Sequence, residues 1–224
     1  MTLSFESFTL AAATADLADE PAAREHADCV EFRMDMAEEP LAALEGYDGA
    51  SPLIATNRPA WEGGEWRGEG RIEALETAVE HDAVRAVDVE LATLSNGHGH
   101  GLVERAADGD VAVVVSTHDL EGTPPRPELG RLLTRAGEVG DVAKLAVTAD
   151  DRADALDLLA ATRAHAIEGA AVATMAMGEA GRHTRAVAPV YGSRIGYAPL
   201  DPADATAPGQ YDLETLRTLV DGLL

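Results

Sequence analysis

The stretch "VAVVVSTHDLEGTPPRPELGRLLTRAGEVGDVAKLAVTA" runs from Val111 to Ala149 and shows the fold in miniature. Its first nine residues (111–119) are an apolar, β-branched run whose polar letters come last. Residues 127–138 have helical character, and a second apolar run follows at 141–149. The same alternation extends in both directions. Further strands are expected at 8–14, 28–35, 51–58, 83–91, 170–178 and 191–199, and further helices at 69–81, 151–167 and 211–223. On the helix over 69–81, Ile72, Leu75, Ala78 and Val79 share a face; over 151–167, Ala155, Leu156, Leu159 and Ala160 do. Eight strand–helix units in 224 residues predict a compact single-domain (β/α)8 barrel over 1–224, with a doubly wound open sheet as the alternative.

Reactive letters fall at the ends of these runs: Arg33 and Asp35, Arg58, Glu90, His118 and Asp119, Met177 and Gly178. In a barrel, the C-terminal ends of the strands carry the active site.

Lys144 departs from the pattern, because it lies inside its run and is the only lysine in the chain. All other basic residues are arginine. In a barrel strand its side chain points inward or lies under a helix, and either place desolvates the ammonium and favours the neutral amine. A neutral buried amine is the nucleophile that forms a Schiff base with a ketone. The alternative is a lysine that snorkels to a carboxylate. Arginine serves an ion pair equally well but cannot form an imine, so a chain that avoids lysine elsewhere points to chemistry at 144.

Net charge is −23, and 46% of residues are apolar. Such a surface argues against nucleic acid as a partner. The acids are scattered among periodic apolar residues, which indicates a folded chain with a carboxylate-rich surface that suits high salt. This composition resembles that of proteins from salt-loving archaea. No run is long and apolar enough for a membrane span, and the first residues lack the pattern of a signal peptide, so a cytoplasmic location is expected. The single cysteine, Cys29, reads as a small buried residue.

His118 is the natural candidate for a general acid–base. Glu31, Arg33 and Asp35 alternate on one strand face and require either an ion-pair network or a ligand. Arg58 and Glu62 precede a glycine-rich loop with two tryptophans that could close over a substrate. Met175 and Met177 share a face, Arg185 follows, and "TAPGQ" exposes Thr206 and Gln210. Several inward arginines suit an anionic small molecule. The pair His98 and His100 lacks a completing ligand set, so no metal is expected.

Taken in order, "EFRMD", "NRPAWEGG", "STHD", "DVAKLAV", "MAMGEAGRHTR" and "PGQ" resemble the type I 3-dehydroquinate dehydratases over about residues 28–210. The resemblance implies a cofactor-free barrel, in many members a homodimer, that converts 3-dehydroquinate to 3-dehydroshikimate and water. It implies that Lys144 forms a Schiff base with the C3 ketone and that His118 removes the C2 proton and returns one to the leaving hydroxyl. Glu62 would orient the histidine and Arg185 would bind the carboxylate. Glu31, Arg33 and Arg58 would hold ring hydroxyls and order the site. Gln210 belongs to the closing loop, with Thr206 where a serine is usual. Thr117 and Ala176 replace a frequent tyrosine and serine, and the first strand has only Thr14 in place of its usual serine. Another Schiff-base lyase or aldolase on the same barrel, or a non-enzymatic acidic binding domain, are the competing readings.

Overall fold

The computed structural model describes residues 3–224; Met1 and Thr2, part of the expected 1–224 domain, lie outside the described residues. Eight strands form one parallel sheet: β1 (Thr9–Thr14), β2 (Cys29–Arg33), β3 (Leu53–Thr56), β4 (Val84–Glu90), β5 (Ala112–Asp119), β6 (Val142–Thr148), β7 (Val172–Met177) and β8 (Ile195–Pro199). Neighbours follow chain order, and β1 pairs with both β2 and β8. The bridge Val172–Ser193, with Arg194 N–H donating to the Val172 carbonyl at 2.7 Å, joins β7 to the start of β8. The ring is therefore a (β/α)8 barrel, and the open sheet is set aside.

Outside it lie α1 (Glu20–Ala23), α2 (Pro40–Glu45), α3 (Arg71–Ala78), α4 (Leu91–Ser95), α5 (His100–Asp108), α6 (Arg126–Gly137), α7 (Arg152–Ile167), α8 (Gly178–Gly181), α9 (Thr184–Val187) and α10 (Leu213–Asp221). The acidic start of α7 is a reciprocal cap. Asp151 accepts from the N–H groups of Ala153 and Asp154, while Asp154 accepts from the N–H of Asp151. The face expected for α7 holds on one side only, at Ala155 and Leu159. Leu156 is 64% exposed, and Leu158, Ala161 and Thr162 join Ala155 and Leu159 in contact with the barrel. So many alanines leave the helical period weak, and either stripe satisfies it. His100 opens α5, with Gly99 (φ 80°) as its N-cap.

Strand alternation divides the core in two. On β5 and β6, Val113, Val115, Ala143, Leu145 and Val147 face outward to the helices. Val114, Val142 and Ala146 face the barrel interior together with Ala11, Cys29, Ile54, Ala86, Ala173 and Ile195. Apart from Ala146, which is level with His118, these inner residues make an apolar floor. Period-two spacing then puts Lys144 and Ser116 inside at one level and His118 one step nearer the C-terminal mouth.

Candidate active site

Above the floor, the barrel interior is charged. The side chain of Lys144 is only 5% exposed, and its Nζ lies 2.8 Å from Asp88 Oδ2 and 3.8 Å from Glu31 Oε1. Arg58 is the hub. Its Nη2 is 2.8 Å from Asp88 Oδ1, and its Nη1 is 2.9 Å from Glu90 Oε1 and 3.4 Å from Glu62 Oε2. Nη1 also donates to Ser116 Oγ at 2.7 Å, and Ser116 donates to Asp88 at 2.6 Å. Arg71, at the start of α3, binds the other oxygen of Glu90 at 2.8 Å. Burying charge is costly, and pairing of this kind offsets the cost. Burial alone would raise the pKa of Asp88, but Arg58 and Lys144 outweigh it and hold the carboxyl well below its ordinary value. Arg58, burial notwithstanding, is held cationic by Asp88, Glu90, Glu62 and Glu31.

His118 lies on β5 beside Lys144 on β6. The register aligns Ser116 with Lys144, so His118 stands two residues higher, roughly 8 Å away between Cα atoms from the strand spacing and rise. Its Nδ1 is 3.0 Å from Glu62 Oε2, which leaves Nε2 as the ring nitrogen available to a substrate. Burial, then the nearby Arg58 and Lys144 charges, lower the imidazole pKa well below its usual value, so the ring is neutral. Burial also pushes Glu62 up to about 8 despite Arg58, with Glu90 and Asp88 adding to the rise. A base at Nε2 requires the tautomer in which Nδ1–H donates to Glu62.

Glu62 is carried by a tight loop. Ala60 N–H donates to the Trp66 carbonyl, and Trp66 N–H donates back to that of Arg58. A Cβ on Gly64 would stand 2.1 Å from the Arg58 carbonyl oxygen, so only glycine permits this turn. The loop expected to close over the site is thus pinned at its base, while Trp61 is 60% exposed at its tip.

Arg185 differs from the other buried arginines. It is 5% exposed, has no carboxylate partner among the described residues, and its Nε has no hydrogen-bond partner. Among the described residues, the one hydrogen bond of its side chain is from Nη2 to the Pro208 carbonyl at 3.5 Å. Burial lowers its pKa to about 10. An unpaired buried guanidinium at the rim of a cavity is a waiting anion site. Thr206 and Gln210 belong to the same loop as Pro208. The Gln210 carbonyl oxygen accepts from the N–H groups of Thr206 and Ala207 at 2.8 and 3.1 Å and holds the loop over the mouth.

One cavity of about 240 Å³ is lined by Glu31, Arg33, Arg58, Glu62, His118, Lys144, Arg185, Thr206 and Gln210, the nine residues singled out in the sequence, with Met175 and Met177 on its apolar side. Asp35 is not on a strand face, because β2 ends at Arg33; it folds back and binds Arg33 in two hydrogen bonds of 2.9 and 2.7 Å. Thr14 does not line the cavity, since its hydroxyl is spent on Asp19 at 2.7 Å. His98 and His100 are exposed, and among the described residues no group of three or more His, Cys, Asp or Glu converges to hold a metal. Sequence reasoning missed Asp88, Ser116, Arg71 and Tyr197. Asp88 left a signal: with Glu90 it alternates on β4 as Glu31 and Arg33 do on β2.

A family model described as "Type I 3-dehydroquinase" matches residues 7–222. The 3-dehydroquinate dehydratase of Haloarcula marismortui is 60% identical over 99% of this chain and 98% of its own length. That of Halobacterium salinarum is 49% identical over 99% of this chain and 100% of its own. The crystal structure of 3-dehydroquinate dehydratase from Geobacillus kaustophilus superposes with a TM-score of 0.85 at 28% identity, covering 97% of this chain and 91% of that one. A match of this extent, over a barrel whose interior gathers the motif residues at one mouth, leaves neither the aldolase nor the binding-domain reading, and the chain belongs to the type I 3-dehydroquinase family.

Proposed function

We propose that this chain dehydrates 3-dehydroquinate to 3-dehydroshikimate through a Schiff base on Lys144, with His118 as the acid–base. The observation that carries the mechanism is the buried amine on β6 with a neutral imidazole one strand across and two residues higher. The Lys144 ammonium gives a proton to His118, and the amine attacks the C3 carbonyl. The imidazolium returns the proton to the carbinolamine oxygen, which leaves as water and yields a protonated imine. The iminium withdraws electrons from the adjacent C2–H bond, and His118 Nε2 takes that proton. The resulting enamine expels the C1 hydroxyl, which leaves as water with the proton from His118. Hydrolysis of the conjugated imine frees the product and Lys144.

The other residues divide between holding substrate and ordering the site. Arg185 binds the C1 carboxylate. Arg58 gives Nη1 to Glu90, Glu62 and Ser116 and Nη2 to Asp88, so its first role is to order these carboxylates, and Glu31 and Arg33 hold the ring hydroxyls beside it. Thr206 and Gln210 shape the closing loop. Activity is tested directly with 3-dehydroquinate, because the conjugated enone of the product raises ultraviolet absorbance; unchanged absorbance would contradict the assignment.

Arg185→Ala is expected to raise KM about 10- to 100-fold, the loss of a charge-assisted contact from a desolvated site. kcat should change less, because the carboxylate keeps its charge through the transition state. A KM within twofold of the unaltered protein would place the carboxylate elsewhere.

The reading also includes, by resemblance, a homodimer in the cytoplasm of a salt-adapted cell. Of the forty acidic residues, only Glu20, Glu31, Asp35, Glu62, Asp88 and Glu90 are buried. Self-repulsion among the rest is greatest in the compact state and is screened by salt. Tm is expected to rise steadily from low to molar salt, and sedimentation at the higher concentrations should give twice the chain mass. A Tm indifferent to salt, or a single-chain mass, would contradict these respective points.

A further inference from the structure

Lys144 has a neighbour that no step above uses. The ring of Tyr197, on β8, lies with its centroid 4.1 Å from Nζ. Tyr197 is 5% exposed and lines the same cavity, yet its hydroxyl has no hydrogen-bond partner among the described residues. A buried hydroxyl left without a partner is costly, so hydrogen bonding does not explain the residue; its contact with the lysine is made by the ring face. Burial, then Glu31 and Asp88, raise the phenol pKa well above its usual value, so the ring stays neutral.

The groups facing the nitrogen come from every side of the barrel. Asp88 on β4 and Glu31 on β2 are its carboxyl partners, Arg58 beyond β3 shares Asp88 with it, His118 on β5 stands two residues higher, and Tyr197 lies against it with its ring face. The two kinds of counter-group differ in one respect. A carboxylate hydrogen-bonded to nitrogen stabilises the charge but is also a base that can take the proton. A ring face stabilises the same charge and accepts no proton.

We propose that the Tyr197 ring is the non-basic counter-group of the Lys144 nitrogen, which holds the ammonium in position and favours the protonated imine over the neutral one once nitrogen is bonded to the substrate carbon. Only the protonated imine is an effective electron sink, so the ring acts on the fraction of bound substrate competent to lose its C2 proton. The inference rests on Lys144 being the imine-forming residue.

Tyr197→Phe serves as the reference, compared with phenylalanines of the same shape carrying successively more ring fluorines, which weaken and then reverse the ring quadrupole. Tyr197→Leu, which removes the ring, is a second comparison, and the Tm of each variant records that it folds. The readout is the pH dependence of cyanoborohydride trapping with 3-dehydroquinate, since that reagent reduces the protonated imine. From Phe to the fully fluorinated ring, the pH of half-maximal trapping is expected to fall by about half a unit or more, with kcat falling about 3-fold or more and KM changing less. The same trapping pH and kcat along the series, with adduct still formed, would overturn the role of the ring. No adduct in the unaltered protein would instead remove the imine itself, and this role with it.

Discussion

Lys144→Ala is expected to lower kcat by at least about 10⁴-fold, the scale of loss when a covalent nucleophile is removed. Without the imine, the C2 proton must be taken from an unactivated ketone, and neither His118 nor Arg185 supplies an equivalent electron sink. The protein should still fold. Asp88 keeps Arg58 at 2.8 Å and Ser116 at 2.6 Å, so its carboxylate is not stranded when the ammonium goes. Lys144→Met, closer in volume, separates a lost nucleophile from a cavity, and Lys144→Arg tests charge alone. All three should be inactive with similar Tm, and substantial turnover in Lys144→Arg would mean that the cation acts electrostatically.

The second large effect concerns His118. Its removal should cost about 10²–10⁴-fold in kcat, the usual contribution of a general acid–base. His118→Ala should still accumulate an adduct on Lys144, more slowly, since imine formation needs a proton carrier but not this one alone. That combination, adduct retained and turnover lost, distinguishes a base acting on the imine from a residue that merely holds the site together. Turnover near that of the unaltered protein would refute the role, and loss of both adduct and fold would point to a structural one.

Much of this was legible because a barrel strand obeys period two. Once Val111–Asp119 and Asp141–Ala149 are read as strands, alternation alone separates the residues facing helices from those facing the interior, and the polar endings mark the mouth. What alternation does not supply is partnership across strands. Asp88 lies between valines in "AVDVE", and its partners Arg58 and Lys144 come from distant parts of the chain. Tyr197 likewise meets Lys144 only because β8 curves around to close the ring. The α7 face was misread where alanine dilutes the helical period, and the short helices α2, α4, α8 and α9 are set by tertiary contacts more than by any stripe of their own. Asp35 shows the limit of spacing itself: i, i+2, i+4 places three residues on one face only while the strand lasts, and β2 stops two residues too soon.

The claim that the lone lysine bonds to carbon is tested most directly by borohydride reduction with 3-dehydroquinate present, followed by mass measurement of the peptide that contains Lys144. The account predicts one reduced adduct, on Lys144, formed only with the ketone and absent from Lys144→Ala. A fully active protein that yields no adduct, or an adduct on any other residue, would contradict it.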